Sequence, residues 1–258
     1  MDEKLLYKRA KWVRLEVLDK IYKSGKGHLG GTFSCVDILV ALYFGDILKP
    51  KDKFILSKGH ACLALYAILY GCKRISRKQY QSYGKDAGLG GQIDISIKGV
   101  DFNTGSLGHS VGVGSGMALA FKINKKNNKV ITLIGDSELF EGSVWESIIF
   151  AADWKLNNLI VVIDRNRLTV TDVLAEEGPY TNFKTKIESF GWNFLEIDGH
   201  DFNEILNTFN HSLNRESPTI IVANTIRGKG ISFVENNLEW YTRIPNLKEY
   251  RAARKQLT

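Results

Sequence analysis

At 258 residues, 44% of them hydrophobic, the chain can bury a sizeable core without disulfide or metal staples. Its three cysteines, Cys35, Cys62 and Cys72, form no CxxC pair and accompany no histidine cluster at metal-ligand spacing, so neither a disulfide framework nor a zinc site is expected. The net charge of +7 is spread over short clusters such as "KPKDK" (49–53) and "KINKKNNK" (122–129), with no nucleic-acid-binding motif, and reads as solvated surface that secondarily attracts phosphorylated small molecules.

The opening stretch "MDEKLLYKRAKWVRLEVLDKIYKSG" sets apolar residues at helical spacing among charges, unlike the apolar core of a secretory signal. No apolar run approaches the ~18 residues that span a bilayer. A cytoplasmic protein with neither a nucleic-acid nor a membrane partner is expected, in which the glycosylation-like "NHS" at 210–212 is idle.

After the first helix the sequence predicts a loop, "KSGKGHLGGTFS", then a helix near 34–46, a short strand "KFILS" and a helix "HACLALYAILYG". A helical stretch at 76–83 leads into a glycine-rich loop ending "TGSLGHS", longer than a mere connection needs. The small-residue helix "VGVGSGMALAFKIN" follows; no strand precedes its glycines 112, 114 and 116 and the dinucleotide spacing is incomplete, so they read as close helix packing.

From 129 onward strands and helices alternate: strand 129–135, helix about 141–155, strand 158–165, helix about 182–190, strand 192–198, helix 201–213 and strand 218–225. Strands apolar on both faces and separated by helices predict a doubly wound α/β fold, a mostly parallel sheet with helices on both faces. One domain over 1–258, with a helical tail at about 246–258, accounts for the chain.

Ligands of such sheets lie beyond the carboxyl ends of the strands. Asp136, in "GDSELFEGSVWE", and Asn166, in "IDRNRL", are each expected there, and a helix amino terminus after Asp136 would favour phosphate. A carboxylate with an amide oxygen suits Mg²⁺ or Ca²⁺ rather than zinc, and Mg²⁺ with so few protein ligands usually completes its shell with a cofactor's phosphates.

Gly135-Asp136-Ser137, with Asn166 after 28 intervening residues, resembles the thiamine diphosphate signature. Over nearly the whole length the chain resembles the amino-terminal part of transketolase as found where that enzyme is split into two polypeptides. The motifs fall in collinear order: "KGHLGG", "SKGHAC", "TGSLGHS", "GDSELFEGSVWE", "NLIVVIDRNRL" and "TIRGKGISFVEN".

The resemblance implies a metal held by Asp136, Asn166 and the Leu168 carbonyl, with Gly135 and Ser137 beside the diphosphate. It implies His60 near the diphosphate, His28 near the substrate carbonyl, Leu107 and Gly108 lining the cofactor cleft, and Glu141 at a subunit interface. Thiamine chemistry also needs a glutamate of the pyrimidine-binding domain, which this chain is too short to include. A second subunit carrying the pyrimidine-binding and carboxy-terminal domains, most plausibly in an α2β2 heterotetramer acting on sugars or sugar phosphates, is therefore implied.

Four positions depart from the family pattern: Ser137 for glycine, His109-Ser110 ending "TGSLGHS", Gln92 for a histidine that contacts substrate, and Tyr241 for the histidine of "WHG". An amide and a phenol keep hydrogen bonding but lose proton transfer near neutral pH. Three readings follow: a transketolase-like enzyme with an altered donor or acceptor, another thiamine reaction such as acyloin formation, or a non-catalytic subunit.

Overall fold

The computed structural model describes residues 2–169, 178–212 and 215–258. Helix α1 (Glu3–Ser24) begins where the Asp2 carboxylate accepts from the Lys4 N–H and ends at Gly25, whose φ of 65° is the left-handed conformation that glycine adopts without strain. Its buried face, Leu6, Ala10, Val13, Val17 and Ile21, follows helical spacing. Helices α2 (Leu29–Ser34) and α3 (Val36–Phe44) follow, so the expected loop over "KSGKGHLGGTFS" contains a helix. All six α2 residues are buried, and packing overrides the low helix propensity of Gly30 and Gly31.

Strand β1 (Lys53–Leu56), a 3₁₀ turn at Gly59–Ala61, α4 (Cys62–Gly71) and α5 (Arg77–Gln81) precede an irregular run through residues 82–109. Beyond it come α6 (Ser110–Ile123), β2 (Val130–Gly135), α7 (Gly142–Asp153), β3 (Leu159–Arg165), α8 (Phe183–Ser189), β4 (Asn193–Asp198), α9 (Phe202–Ser212), β5 (Thr219–Asn224) and α10 (Leu247–Leu257). Position 213, the last residue of the helix expected over 201–213, lies outside the described residues.

The strands form one sheet in the order β1-β2-β3-β5-β4, every pairing parallel. Alternate residues feed two cores: Ile131, Leu133, Ile160 and Val162 pack toward α1, α3, α4 and α9, while Ile134, Val161, Ile163 and Val222 pack toward α6, α7 and α8. This is the doubly wound arrangement expected from the pattern. Strand β4 departs from the both-faces-apolar rule, because as the edge strand it stays partly exposed along most of its length. Of the three α6 glycines, Gly114 packs closely, since a Cβ there would lie 2.6 Å from Thr132 Oγ1, whereas Gly116 faces open space. No described helix is long and apolar enough to cross a membrane, and the three cysteines are unpaired.

A buried ion pair ties the layers together. Arg14 of α1 donates from both Nη atoms to Asp37 of α3, at 2.9 and 2.6 Å. His200, in the turn after β4, lies 2.6 Å from the same carboxylate through Nδ1, and its Nε2 accepts from the Ile226 N–H. Nε2 is thus the bare nitrogen, and Nδ1 donates to Asp37. Burial pushes the Asp37 carboxyl up, but Arg14 and His200 outweigh it and hold it below its ordinary value. Asp37→Ala should lower unfolding free energy in urea by about 3–5 kcal/mol, because it strands a buried guanidinium. Removing Glu188 from its exposed contact with Lys184 should cost less than about 0.5 kcal/mol. Equal losses would contradict the assignment.

Candidate active site

Register places Gly135, at the end of β2, opposite Asp164 near the end of β3. The chain therefore delivers carboxylates from adjacent strands to one point. Asp164 is fully buried and forms an ion pair with Lys58, which follows β1 and is 2% exposed. Ser34 and Thr225 donate to Asp164 as well. Burial favours the neutral form of each partner, yet their mutual attraction prevails: the Lys58 ammonium is held above its ordinary range and the Asp164 carboxyl below.

Asp136 has no such partner. It is 2% exposed and accepts from the Ser137 N–H at 2.8 Å and the Arg167 N–H at 2.7 Å, and none of the described ion pairs reaches it. Burial, reinforced by the Asp164 charge, pushes its carboxyl up to about 6. The expected α-helix does not start directly after it; a 3₁₀ turn, Asp136–Phe140, intervenes and α7 begins at Gly142. The phosphate-favouring helix amino terminus is thus displaced from Asp136 by about a turn.

The cleft at these strand ends is lined by His60, Leu107, Gly135, Asp136, Ser137, Asn166, Leu168 and Tyr241, all singled out from the sequence. Gly31, Lys58, Glu138, Thr169 and Arg227 line it too. The His28 ring stands 5.3 Å from the His60 ring and 5.4 Å from the Tyr241 ring. Gly108 lies beside the cleft, its φ of +85° admitting no side chain easily, and a Cβ there would lie 2.6 Å from that of Glu141. Glu141 itself is exposed outside the cleft. Gln92 packs over the turn that carries His60, for a Cβ on Gly59 would meet its Oε1 at 2.4 Å. His109 points to solvent, and Ser110 is buried at the start of α6.

Lys58, Asp164 and Arg227 were not singled out from the sequence, although they sit inside quoted motifs: "SKGHAC", "IDRNRL" and "TIRGKG". A charge within an otherwise buried segment was the available signal. Arg227 is 4% exposed; its guanidinium lies 4.9 Å over the Tyr241 ring and donates to the Leu168 carbonyl at 3.0 Å.

Among the described residues no cluster of three or more His, Cys, Asp or Glu side chains could hold a metal. A divalent ion would instead meet the Asp136 carboxylate, the Asn166 amide oxygen and the Leu168 carbonyl, an oxygen set of the hard-cation kind. A buried carboxylate without its own cation, beside a second buried carboxylate, fits that demand.

The two histidines behave differently from free imidazoles. Burial lowers both, assisted by Arg227 at His28 and by Lys58 at His60, whose value falls to about 3. Both are neutral at pH 7. Because the unfolded chain protonates its histidine near pH 6.5 and folded His60 does not, stability should decline as pH falls from about 6.5 toward 3. His60→Gln should flatten that decline in melting temperature between pH 6.5 and 4; an unchanged slope would contradict the burial argument.

A family model described as "Transketolase, thiamine diphosphate binding domain" matches residues 7–257. One of the two subunits of the apulose-4-phosphate transketolase of Phocaeicola vulgatus is 36% identical over 256 residues, covering 95% of this chain and 91% of its own. The 6-deoxy-6-sulfo-D-fructose transketolase subunit SqwG of Clostridium sp. (strain MSTE9) is 35% identical, covering 90% and 89%. Human transketolase is 33% identical over 89% of this chain but only 38% of its own length. The crystal structure of transketolase from Campylobacter jejuni superposes on the whole chain with a TM-score of 0.93 at 26% identity, again over only 43% of that protein. The chain belongs to the transketolase family, which it matches through that family's thiamine diphosphate binding domain.

Proposed function

We propose that the chain, acting as one diphosphate-binding domain over 1–258, is one half of a two-chain transketolase. The complex transfers a two-carbon ketol unit from a ketose to an aldehyde or aldose acceptor. The observation that carries this reading is the buried, cation-free Asp136 facing Asn166 and Leu168 in one cleft. Relatives of matching length are named as subunits, whereas single-chain transketolases extend far beyond the matched region. A partner subunit with the pyrimidine-binding and carboxy-terminal domains, in an α2β2 assembly, would complete the site. Phe140, Ile149, Phe150 and Trp154, each more than a third exposed around α7 beside Glu141, suit such a contact.

In this reading Asp136, Asn166 and the Leu168 carbonyl hold Mg²⁺ or Ca²⁺, and Gly135, Ser137 and His60 lie by the diphosphate. The Leu107 and Gly108 backbone lines the cofactor cleft. Thiamine diphosphate, when bound, supplies the carbon nucleophile and the electron sink for carbon-carbon cleavage. The protein's part is orientation and electrostatics. His28 and His60, kept neutral by burial, exchange hydrogen bonds with the substrate's carbonyl or hydroxyls, and neither brings a second positive charge beside Arg227.

Gln92 and Tyr241 replace two histidines of the family pattern at the cleft's edge, which favours an altered donor or acceptor. Two of the relatives are named for specialised sugars bearing an anionic group, a phosphate or a sulfonate. A sugar of that class, handled outside the common pentose phosphates, is the substrate we propose.

Reconstitution of the chain with its partner tests the function. Turnover should require both chains, thiamine diphosphate and Mg²⁺, and Asp136→Ala should lower it by about 100-fold or more. Turnover independent of Asp136 would contradict the reading, and absent cofactor binding by an assembled pair would favour a non-catalytic subunit. Xylulose 5-phosphate should be a poor donor for the native pair, and Gln92→His with Tyr241→His should improve it by about tenfold, the worth of one good hydrogen bond.

A further inference from the structure

Glu138 is the one of the three buried carboxylates at these strand ends that the proposed chemistry leaves unused. It is 1% exposed and has no ion-pair partner among the described residues. Its Oε2 accepts from Ser57 Oγ at 2.5 Å and from the Gly108 N–H at 2.9 Å, and its Oε1 accepts from the Gly135 N–H at 2.9 Å. The three donors come from three segments: the turn after β1 that leads to Lys58 and His60, the irregular loop before α6, and the end of β2 that leads to Asp136.

Sheet pairing already relates β1 to β2, since the Ser57 N–H donates to the Leu133 carbonyl. The loop carrying Leu107 and Gly108 has no ladder to hold it. Its attachments here are the Gly108 N–H on Glu138 and the Gly108 carbonyl, which accepts from Ser143 Oγ at 2.9 Å. Only an acceptor-only group can serve two N–H donors and a hydroxyl at once, and an ionised carboxylate is such a group. A glutamine of the same shape turns an NH₂ group toward one of those donors.

We infer that Glu138 is a positioning residue: its carboxylate fixes the Leu107-Gly108 backbone, the His60 turn and the Gly135-Asp136 junction in one mutual geometry, so that the cofactor cleft is preorganised. The inference rests on the proposed function for its catalytic meaning and on the hydrogen-bond set alone for its structural content.

Two readouts test it on native chain, Glu138→Gln and Ser57→Ala. In hydrogen exchange, Glu138→Gln should accelerate the Gly108 and Gly135 amides and residues 57–60 together by about tenfold or more, one lost hydrogen bond's worth, while α1 and β3 stay as protected as in the native chain. Ser57→Ala should loosen residues 57–60 alone. In the reconstituted complex, Glu138→Gln should weaken thiamine diphosphate at saturating Mg²⁺ by about tenfold, yet leave substrate KM at saturating cofactor within about twofold, since nothing it holds touches substrate directly. Uniformly faster exchange, acceleration confined to residues 135–140, or unchanged cofactor affinity would overturn the inference. If the native complex does not bind the cofactor, the functional reading fails and the exchange pattern alone decides the role of Glu138.

Discussion

Burying three carboxylates at the ends of two adjacent strands is the constraint that organises this structure. Each must be compensated, because an unpaired charge in a dry interior costs several kcal/mol. Asp164 is compensated by Lys58, and Glu138 by three neutral donors. Asp136 receives only two backbone N–H groups, and its carboxyl is driven up to about 6 as a consequence. The imbalance is local, oriented toward the cleft, and of the sign that a divalent cation relieves.

The rest of the architecture serves that point. Parallel strands send their carboxyl ends to one side, and the order β1-β2-β3-β5-β4 brings Lys58, Asp136, Asn166 and Arg227 together from four segments. Glycines on α2 let the opposite wall approach: a Cβ on Gly30 would lie 3.0 Å from Arg227, and one on Gly31 would lie 3.1 Å from His60 Nε2. The Arg14-Asp37-His200 network, outside the cleft, holds the Ile226 N–H and so the segment that aims Arg227. Arg227 in turn stacks on Tyr241, so the phenol that replaces a family histidine also shapes the charge in the cleft.

Much of this was legible in the sequence. The apolar runs of β2, β3 and β5 and the intervening amphipathic helices dictate a covered parallel sheet, and Asp136 and Asn166 stand out because polar residues end those runs. Helix α2 was not legible, because its glycines read as a loop and its helicity comes from complete burial. The 3₁₀ turn after Asp136 escaped for a related reason, since one stretch of sequence serves either a long helix or a turn followed by a shorter one. Lys58, Asp164 and Glu138 were missed because their meaning lies in mutual pairing across 106 or 81 residues of chain, which no local pattern encodes.

The central claim is that Asp136 is the carboxylate around which a divalent cation and a diphosphate assemble. Electron paramagnetic resonance of Mn²⁺, titrated into the chain and its partner with thiamine diphosphate, measures this directly through the loss of the free-ion signal. The account predicts tight, Mg²⁺-competable Mn²⁺ binding that needs the cofactor, weakens as pH falls below about 6 when Asp136 gains a proton, and disappears in Asp136→Ala. Mn²⁺ binding that survives that substitution, or that strengthens as pH falls, would contradict it.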